Sequence, residues 1–209
     1  MKLAFIGIGN VGFAIANQLQ KKGYDIIVAN NNENSATVKK ALEENPNFSV
    51  KNIQQAIDEA GIVFLATPFN ANKEILQALN LNGKILVDCT NPVGMGIVHG
   101  LKSEVSGSEK VQEWAPDAKV VKAYTIYGFE NFISSDYPDY NVKPVMMIAG
   151  NDAQAKSAVA KINTDMGFDT LDTGKLDQAL HLEHMTLLWV KMVRRDGHHP
   201  NLVWAKLEK

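Results

Sequence analysis

The feature that most constrains the fold is the stretch AFIGIGNVG at residues 4–12, a G-x-G-x-x-G pattern directly behind a short apolar run. Residues 2–6 read as a strand, apolar residues recur at helical spacing over 11–22, and YDIIVAN at 24–30 reads as a second strand. In such a β-α-β unit, Gly7 allows a tight turn, Gly9 lets a pyrophosphate approach the backbone, and Gly12 lets helix and strand pack closely. The helix start then favours the bound anion.

The same letters resemble the apolar centre of a secretory signal, because Lys2 precedes the run and small residues follow it. Against that reading, Asn10 interrupts the apolar run, and the chain continues as helix and strand without a break. We therefore assign the glycines to the mature fold.

The rest of the chain repeats the alternation of helices and strands. Helices are predicted over 35–44, 53–60, 71–79 and 108–114, and strands over 48–50, 61–67, 84–92 and 118–124. The continuous apolar runs at 62–66 and 85–87 are typical of a parallel sheet covered by helices on both faces. We predict an α/β fold with a doubly wound, mostly parallel sheet of Rossmann type over 1–174. A short helical extension over 175–209 would pack on the same domain or on a dimer partner.

Composition narrows the partners and the compartment. The net charge of −2 over 209 residues suggests neither nucleic acid nor an anionic membrane as a partner. No apolar stretch approaches the roughly 18–20 residues that a membrane-spanning helix needs. Cys89 is the single cysteine, so no internal disulfide can form, and a reducing, cytoplasmic location fits best.

Ligands of doubly wound sheets bind beyond the carboxyl ends of the strands. The predicted cofactor-binding residues lie at the carboxyl ends of five of the six predicted strands: Gly7, Ile8, Gly9, Asn10, Val11 and Gly12; Asn30, Asn31 and Asn32; Thr67, Pro68 and Phe69; Asn91 and Pro92; and Ala123 and Thr125.

The end of the second strand selects the nucleotide. An acidic residue there would bind the ribose 2′-hydroxyl of NAD, whereas its absence permits the 2′-phosphate of NADP. The chain has Asn30, Asn31 and Asn32, whose amides can donate to phosphate oxygens, and no carboxylate in the first position after the strand. Glu33 would instead favour NAD if the turn places its carboxylate beside the ribose. NADP is the favoured cofactor, and NAD stays possible.

Together these motifs resemble the NADPH-dependent reductases of the deazaflavin coenzyme F420. That family includes bacterial "predicted dinucleotide-binding" relatives and the cytosolic domain of transmembrane ferric reductases. The resemblance covers nearly the whole chain. It rests on FIGIGNVG at 5–12, VAN at 28–30, LATPF at 65–69, VDCTNPV at 87–93, SGSEKVQEWAPDAKVVKA at 106–123 and the segment 150–190.

The resemblance implies hydride exchange between NADPH and a second, flat redox carrier such as F420, a flavin or a quinone. The acceptor would stack on the nicotinamide in a cleft closed partly by the C-terminal region. Hydride transfer to a deazaflavin needs little acid–base help, so positioning would be the main contribution of the protein.

The chain departs from the family pattern at two places. Where the family commonly has Asn-Ser-Arg after the second strand, Asn31 and Asn32 replace the last two residues. Where it often has Phe-Asn-Thr beside the nicotinamide, this chain has Tyr124, Thr125 and Ile126. The second departure places a different pocket where the second substrate should bind.

Tyr124 is the candidate catalytic residue, since a phenol beside the nicotinamide could protonate a carbonyl, imine or quinone. The alternative role for this ring is an aromatic wall. His181 and His184 share a helix face but lack the H-E-x-x-H spacing and a third ligand, so no metal site is predicted. The same helix is strongly apolar, and together with the resemblance it favours a homodimer.

Two other functions remain open on the sequence. The chain could be a dinucleotide-binding redox sensor without turnover. It could also reduce a small carbonyl or imine, although only about 35 residues follow Gly174, fewer than the helical domain of such reductases needs. The aromatic residues Tyr124, Tyr127 and Phe129 favour a second ligand beside the nicotinamide.

Overall fold

The computed structural model describes residues 1–209. Its strands are β1 (Lys2–Ile6), β2 (Asp25–Ala29), β3 (Ser49–Lys51), β4 (Ile62–Leu65), β5 (Ile85–Asp88), β6 (Val93–Gly94), β7 (Val98–His99), β8 (Lys119–Lys122), β9 (Val145–Gly150) and β10 (Asp169–Asp172). Its α-helices are α1 (Asn10–Lys21), α2 (Ala36–Glu44), α3 (Ile53–Glu59), α4 (Asn72–Gln77), α5 (Gly107–Trp114), α6 (Glu130–Ile133), α7 (Ala153–Asp165) and α8 (Ala179–Val190).

Eight strands form one sheet in the order β10-β9-β8-β5-β4-β1-β2-β3. The six from β3 to β8 are parallel, whereas β9 runs antiparallel to β8, and β10 runs parallel to β9. The chain order reverses between β1 and β4, where the connections leave to opposite faces of the sheet. The predicted doubly wound, mostly parallel α/β fold is confirmed.

Two apolar cores cover the two faces of the sheet. The larger includes side chains of α1, α2, α7 and α8, with Phe5 and Phe64 stacked at 4.5 Å between ring centroids. The smaller lies under α3, α4 and α5. Burial on both faces explains the runs of consecutive apolar residues in the central strands.

Helix α8 packs on the same chain, against α5, β7 and β9. Trp189 in this helix is buried, and its indole Nε1 donates to the carbonyl of Leu202 at 2.7 Å. The last residues then run beside the start of β9, where Val145 N donates to Trp204 O at 2.8 Å. None of the helices has the length and apolar character required to cross a membrane.

Candidate functional site

The three glycines of the first turn are required for different reasons. Gly7 has φ +94°, and a Cβ there would lie 2.6 Å from the Ala66 carbonyl carbon. A Cβ on Gly12 would lie 2.2 Å from the Gly7 carbonyl oxygen. A Cβ on Gly9 would meet no atom within 4 Å, although this residue immediately precedes α1. Packing therefore requires Gly7 and Gly12, but nothing in the chain requires a glycine at position 9.

The start of α1 is equipped for an anion. Gly9 has no side chain to accept from the first-turn N–H groups, and no acidic residue lies in that turn. The N–H groups of a first helical turn have no partner within the helix, and the helix dipole adds positive potential there. Asn10 and Gly9 are both exposed. The residues present thus fit a pyrophosphate held by backbone N–H groups.

The turn after β2 presents amide donors. The Oδ1 atoms of Asn30, Asn31 and Asn32 accept from the backbone N–H groups of Asn32, Ile53 and Asn34 at 2.8, 3.1 and 3.1 Å. No hydrogen bond within the protein uses the Nδ2 group of any of the three. The turn therefore offers three N–H₂ groups, and these can bind phosphate or hydroxyl oxygens.

The predicted residues at the ends of β4, β5 and β8 lie on one edge of the sheet. The Thr67 hydroxyl donates to Asn72 Oδ1 at 2.6 Å, and the Thr125 hydroxyl donates to Asn91 Oδ1. Asn91 is half-buried, whereas Thr125 is only 1% exposed and lies behind it. Ala123 is fully buried, so it offers a ligand no surface in this conformation.

Tyr124 does not occupy the position expected of a proton donor. It is 1% exposed, and its ring packs between Phe64 and Phe132 with centroids at 5.9 and 5.6 Å. Its hydroxyl has no hydrogen-bond partner, and burial raises the pKa of the phenol well above its ordinary value. A phenol enclosed in the core cannot reach a substrate, so the structure argues against the catalytic role predicted for Tyr124.

A buried charge cluster lies directly below this edge of the sheet. Lys122 Nζ contacts Asp88 Oδ2 and Glu183 Oε1, each at 3.2 Å, and donates to the Thr90 carbonyl. All three charged side chains are at most 1% exposed. Burial lowers the pKa of Lys122, but the two carboxylates outweigh burial, and its net pKa is raised. The ammonium is therefore charged: it donates to Asp88 and to the Thr90 carbonyl and forms an ion pair with Glu183.

Further donors satisfy both carboxylates. Asp88 accepts from Thr90 N, from the Thr90 hydroxyl and from the Ser108 hydroxyl. Glu183 accepts from Gly107 N at 3.0 Å and Ser108 N at 3.3 Å, at the start of α5. His99 Nδ1 accepts two backbone N–H groups, so its proton lies on Nε2, which donates to Glu183 at 2.8 Å. The cluster joins β5, β8, α5, α8 and the β6–β7 hairpin.

The sequence interpretation missed this cluster, although a signal for it was present. Asp88 and Lys122 are the last residues of two apolar strands, they have opposite charges, and they are direct partners in the β5–β8 register. Opposite charges at matching ends of neighbouring buried strands indicate a buried pair. Glu183 stands between the two histidines singled out above, and its own position gave no signal.

A cavity of about 490 Å³ adjoins the glycine turn. It is lined by Gly9, Asn10 and Phe13 of the α1 region, by Lys40 of α2 and by Phe129. Half of the residues that line the cavity are hydrophobic, and its volume is that of a small-molecule site.

A glycine turn at the switch point of a doubly wound sheet defines a dinucleotide-binding protein of the Rossmann class. Residues 2–92 match the family model described as "NADP oxidoreductase coenzyme F420-dependent". The crystal structure of a proposed F420-dependent NADP reductase from Arthrobacter sp. FB24 superimposes with a TM-score of 0.80 and 25% identity, covering 100% of both chains. Over residues 2–92 the chain is therefore similar to this family, and the resemblance predicted from its motifs is confirmed there.

Two further relatives extend the comparison. Metalloreductase STEAP3 of Rattus norvegicus is 27% identical over 189 residues, which cover 89% of this chain and 36% of the relative. A glycerol-3-phosphate dehydrogenase [NAD(P)+] of Ectopseudomonas mendocina is 28% identical over 131 residues, covering 56% of this chain and 37% of the relative. The chain thus spans just over a third of the length of these curated relatives.

Proposed function

We propose that this protein is an NADP(H)-dependent oxidoreductase that transfers a hydride between the nicotinamide and a second redox carrier of deazaflavin, flavin or quinone type. The supporting observation is the open space at Gly9. A glycine that no packing contact requires, placed at a helix start with free N–H groups, is explained by a ligand that approaches the backbone. The match of residues 2–92 to the family model, whose description names NADP, supports the same cofactor.

The preference for NADP rests on the turn after β2. Its three Asn side chains offer hydrogen-bond donors directly after the strand, which suits a 2′-phosphate, whose oxygens only accept. Ser35 adds a hydroxyl that does not cap α2, the helix that follows the turn. Glu33 is exposed in the same turn, and its carboxylate would favour NADH. Because the three asparagine donors come first after the strand, we propose NADPH as the better ligand and NADH as the weaker one.

The proposed acceptor is a ring carrier because its reduction requires no proton donor from the protein. Bound NADPH supplies a hydride, whose electron pair reduces the acceptor while the nicotinamide is oxidised. A ring carrier of the deazaflavin or flavin type accepts that hydride directly, so the protein has to bind and align the two rings. With Tyr124 enclosed in the core, its phenol is not available to protonate a carbonyl or imine substrate.

The proposal is tested by titrating the protein with NADPH and then NADH, following cofactor fluorescence. F420, FMN and a simple quinone are then added in turn while absorbance at 340 nm is recorded. The key variant is Gly9→Val, which should abolish nucleotide binding and leave the unfolding temperature unchanged. Gly61→Ala is the control, because Gly61 lies before β4, at the opposite end of the sheet, and its nearest neighbours are flexible Met1 side-chain atoms.

Retained NADPH affinity in Gly9→Val would contradict the assigned pyrophosphate site. Tight NADPH binding by the wild type without oxidation by any of the three acceptors would count against the enzyme and favour the redox sensor.

We also propose a homodimer in a reducing, cytoplasmic environment. The dimer is supported by exposed apolar side chains on the β6–β7 hairpin and on α8. The compartment is supported by the single cysteine, Cys89, which is buried as a free thiol.

A further inference from the structure

Helix α8 brings a hydroxyl to the ends of β5 and β8. The Oγ1 atom of Thr186 lies 3.1 Å from Asn91 Oδ1, 2.9 Å from the Thr125 hydroxyl and 2.9 Å from the Thr125 carbonyl oxygen. Thr186 is 6% exposed, so it offers a ligand little surface of its own. Its contacts place it behind Asn91, which is half-buried and follows the carboxyl end of β5.

The two threonine hydroxyls determine which way the Asn91 amide points. Both lie against Oδ1, and the Thr125 hydroxyl donates to it. No hydrogen bond within the protein uses the Nδ2 group of Asn91. An amide whose oxygen is held from behind directs its two N–H donors the other way. Without the hydroxyls, the amide could rotate about its last torsion angle, which is broad and roughly two-fold.

The backbone of Tyr124, the residue before Thr125, is strained, and this conformation supports the contact between Thr125 and Asn91. Tyr124 has φ +54°, in the left-handed region that residues other than glycine rarely adopt. Its ring is anchored in the core between Phe64 and Phe132, which fixes the turn directly before Thr125. Such strain persists where the surroundings determine the conformation, commonly at ligand sites. The enclosed Tyr124 thus holds Thr125 against Asn91.

Helix α8 is itself held in register by the charge cluster. Glu183 lies one turn before Thr186 and is fixed by Lys122 and by the start of α5. Residues three apart share a face of a helix. The same face of α8 therefore provides the anchor, Glu183, and the hydroxyl that reaches Asn91.

We propose that Thr186 is a positioning residue of the cofactor site: it holds the Asn91 amide so that Nδ2 donates to an oxygen atom of the nicotinamide half of the dinucleotide. The carboxamide carbonyl and the ribose hydroxyls of that half all accept hydrogen bonds, which matches the free donor. This inference rests on the proposed function and makes α8, a C-terminal element, part of the nucleotide site.

The test compares two ligands by fluorescence and calorimetric titration: NADPH, and adenosine 2′,5′-bisphosphate, which lacks the nicotinamide half. In Thr186→Val, NADPH affinity should fall by about tenfold, the usual scale for losing one oriented hydrogen bond, while the bisphosphate binds as before. Thr186→Ser should restore NADPH affinity. Thr164→Val is the matched control, because both hydroxyls also reach the carbonyl four residues earlier in their own helix.

Asn91→Asp provides a second route if valine at position 186 disturbs the fold. It keeps the shape and the oxygen that faces the threonines but removes the donor, so it should weaken NADPH and spare the bisphosphate. Equal loss of both ligands in these variants would indicate a merely structural role and overturn the inference. Unchanged NADPH affinity in Thr186→Val would overturn it as well. Failure of the wild type to bind either ligand would instead overturn the proposed function, and the inference with it.

Discussion

At the scale of single residues, we expect the asparagine side chains of the turn after β2 to set the preference between NADP and NAD. Asn30→Asp keeps the oxygen that accepts from Asn32 N and exchanges the free N–H₂ group for a carboxylate oxygen. We expect NADPH affinity to fall by about tenfold and NADH affinity to hold or rise, because the carboxylate repels a phosphate and accepts from a ribose hydroxyl. Titrations with both cofactors measure the ratio. Asn47→Asp adds the same charge elsewhere and should leave it unchanged; an equal change in both variants would contradict the prediction.

Lys122 is the residue whose loss should cost the fold most. Lys122→Met removes the cation from two buried carboxylates, and breaking such a pair costs about 3–5 kcal/mol of unfolding free energy. The pKa of Lys122 is raised in the folded state. Its contribution to the free energy of unfolding is therefore fully present below the ordinary pKa of 10.5 and is lost as the pH rises through the pKa of the folded state. Urea unfolding from pH 7 to 11 checks both statements. Lys161→Met, which breaks a pair in which Lys161 is 71% exposed, should change stability little. A Lys122→Met protein as stable as the wild type would show that the cluster contributes nothing.

At the scale of elements, Glu183 fastens α8 to α5 and to the β6–β7 hairpin. Glu183→Gln keeps the shape but turns one acceptor position into a donor that must face Gly107 N, Ser108 N, His99 or Lys122. We expect faster amide exchange at the start of α5 and in the hairpin, with β1 and β4 unaffected, as measured by hydrogen–deuterium exchange. Glu113→Gln alters an exposed carboxylate of α5 and should leave the pattern as in the wild type. Uniformly faster exchange would indicate general destabilisation instead.

The sequence predicts the elements well where local pattern and tertiary role agree. The β1-α1-β2 unit and the apolar strands β4 and β5 have clear periods and boundaries, and their predicted positions lie within a few residues of the observed ones. The β6–β7 hairpin has strands of two residues, too short for any periodicity. The turn after β8 uses a positive φ at Tyr124, and a tyrosine gives no hint of such a backbone. Tyr124 therefore read as a candidate donor when it is a core residue.

At the scale of the whole molecule, apolar side chains of two neighbouring elements, the β6–β7 hairpin and α8, remain uncovered. Met95 and Val98 of the hairpin region and Leu188 of α8 are 97%, 51% and 50% exposed, and α8 packs beside β7. Exposed apolar surface of this kind is typical of a protein interface. We expect a dimer by light scattering, and a monomer for the double variant Met95→Glu, Leu188→Glu. Ile133→Glu changes an apolar residue of similar exposure away from that surface and should stay dimeric. A monomeric wild type would contradict the proposed dimer.

Because the space at Gly9 is open, a substitution there would affect the fold less than a substitution at Gly7 or Gly12. Substitutions at Gly7 and Gly12 collide with the chain itself and would be detected by any survey of expression or thermal stability. A substitution at Gly9 would pass such a survey unnoticed, since the polypeptide alone has no use for that glycine. A natural paralogue that differs at this one position would accumulate in a cell to normal levels as a folded protein that binds no dinucleotide.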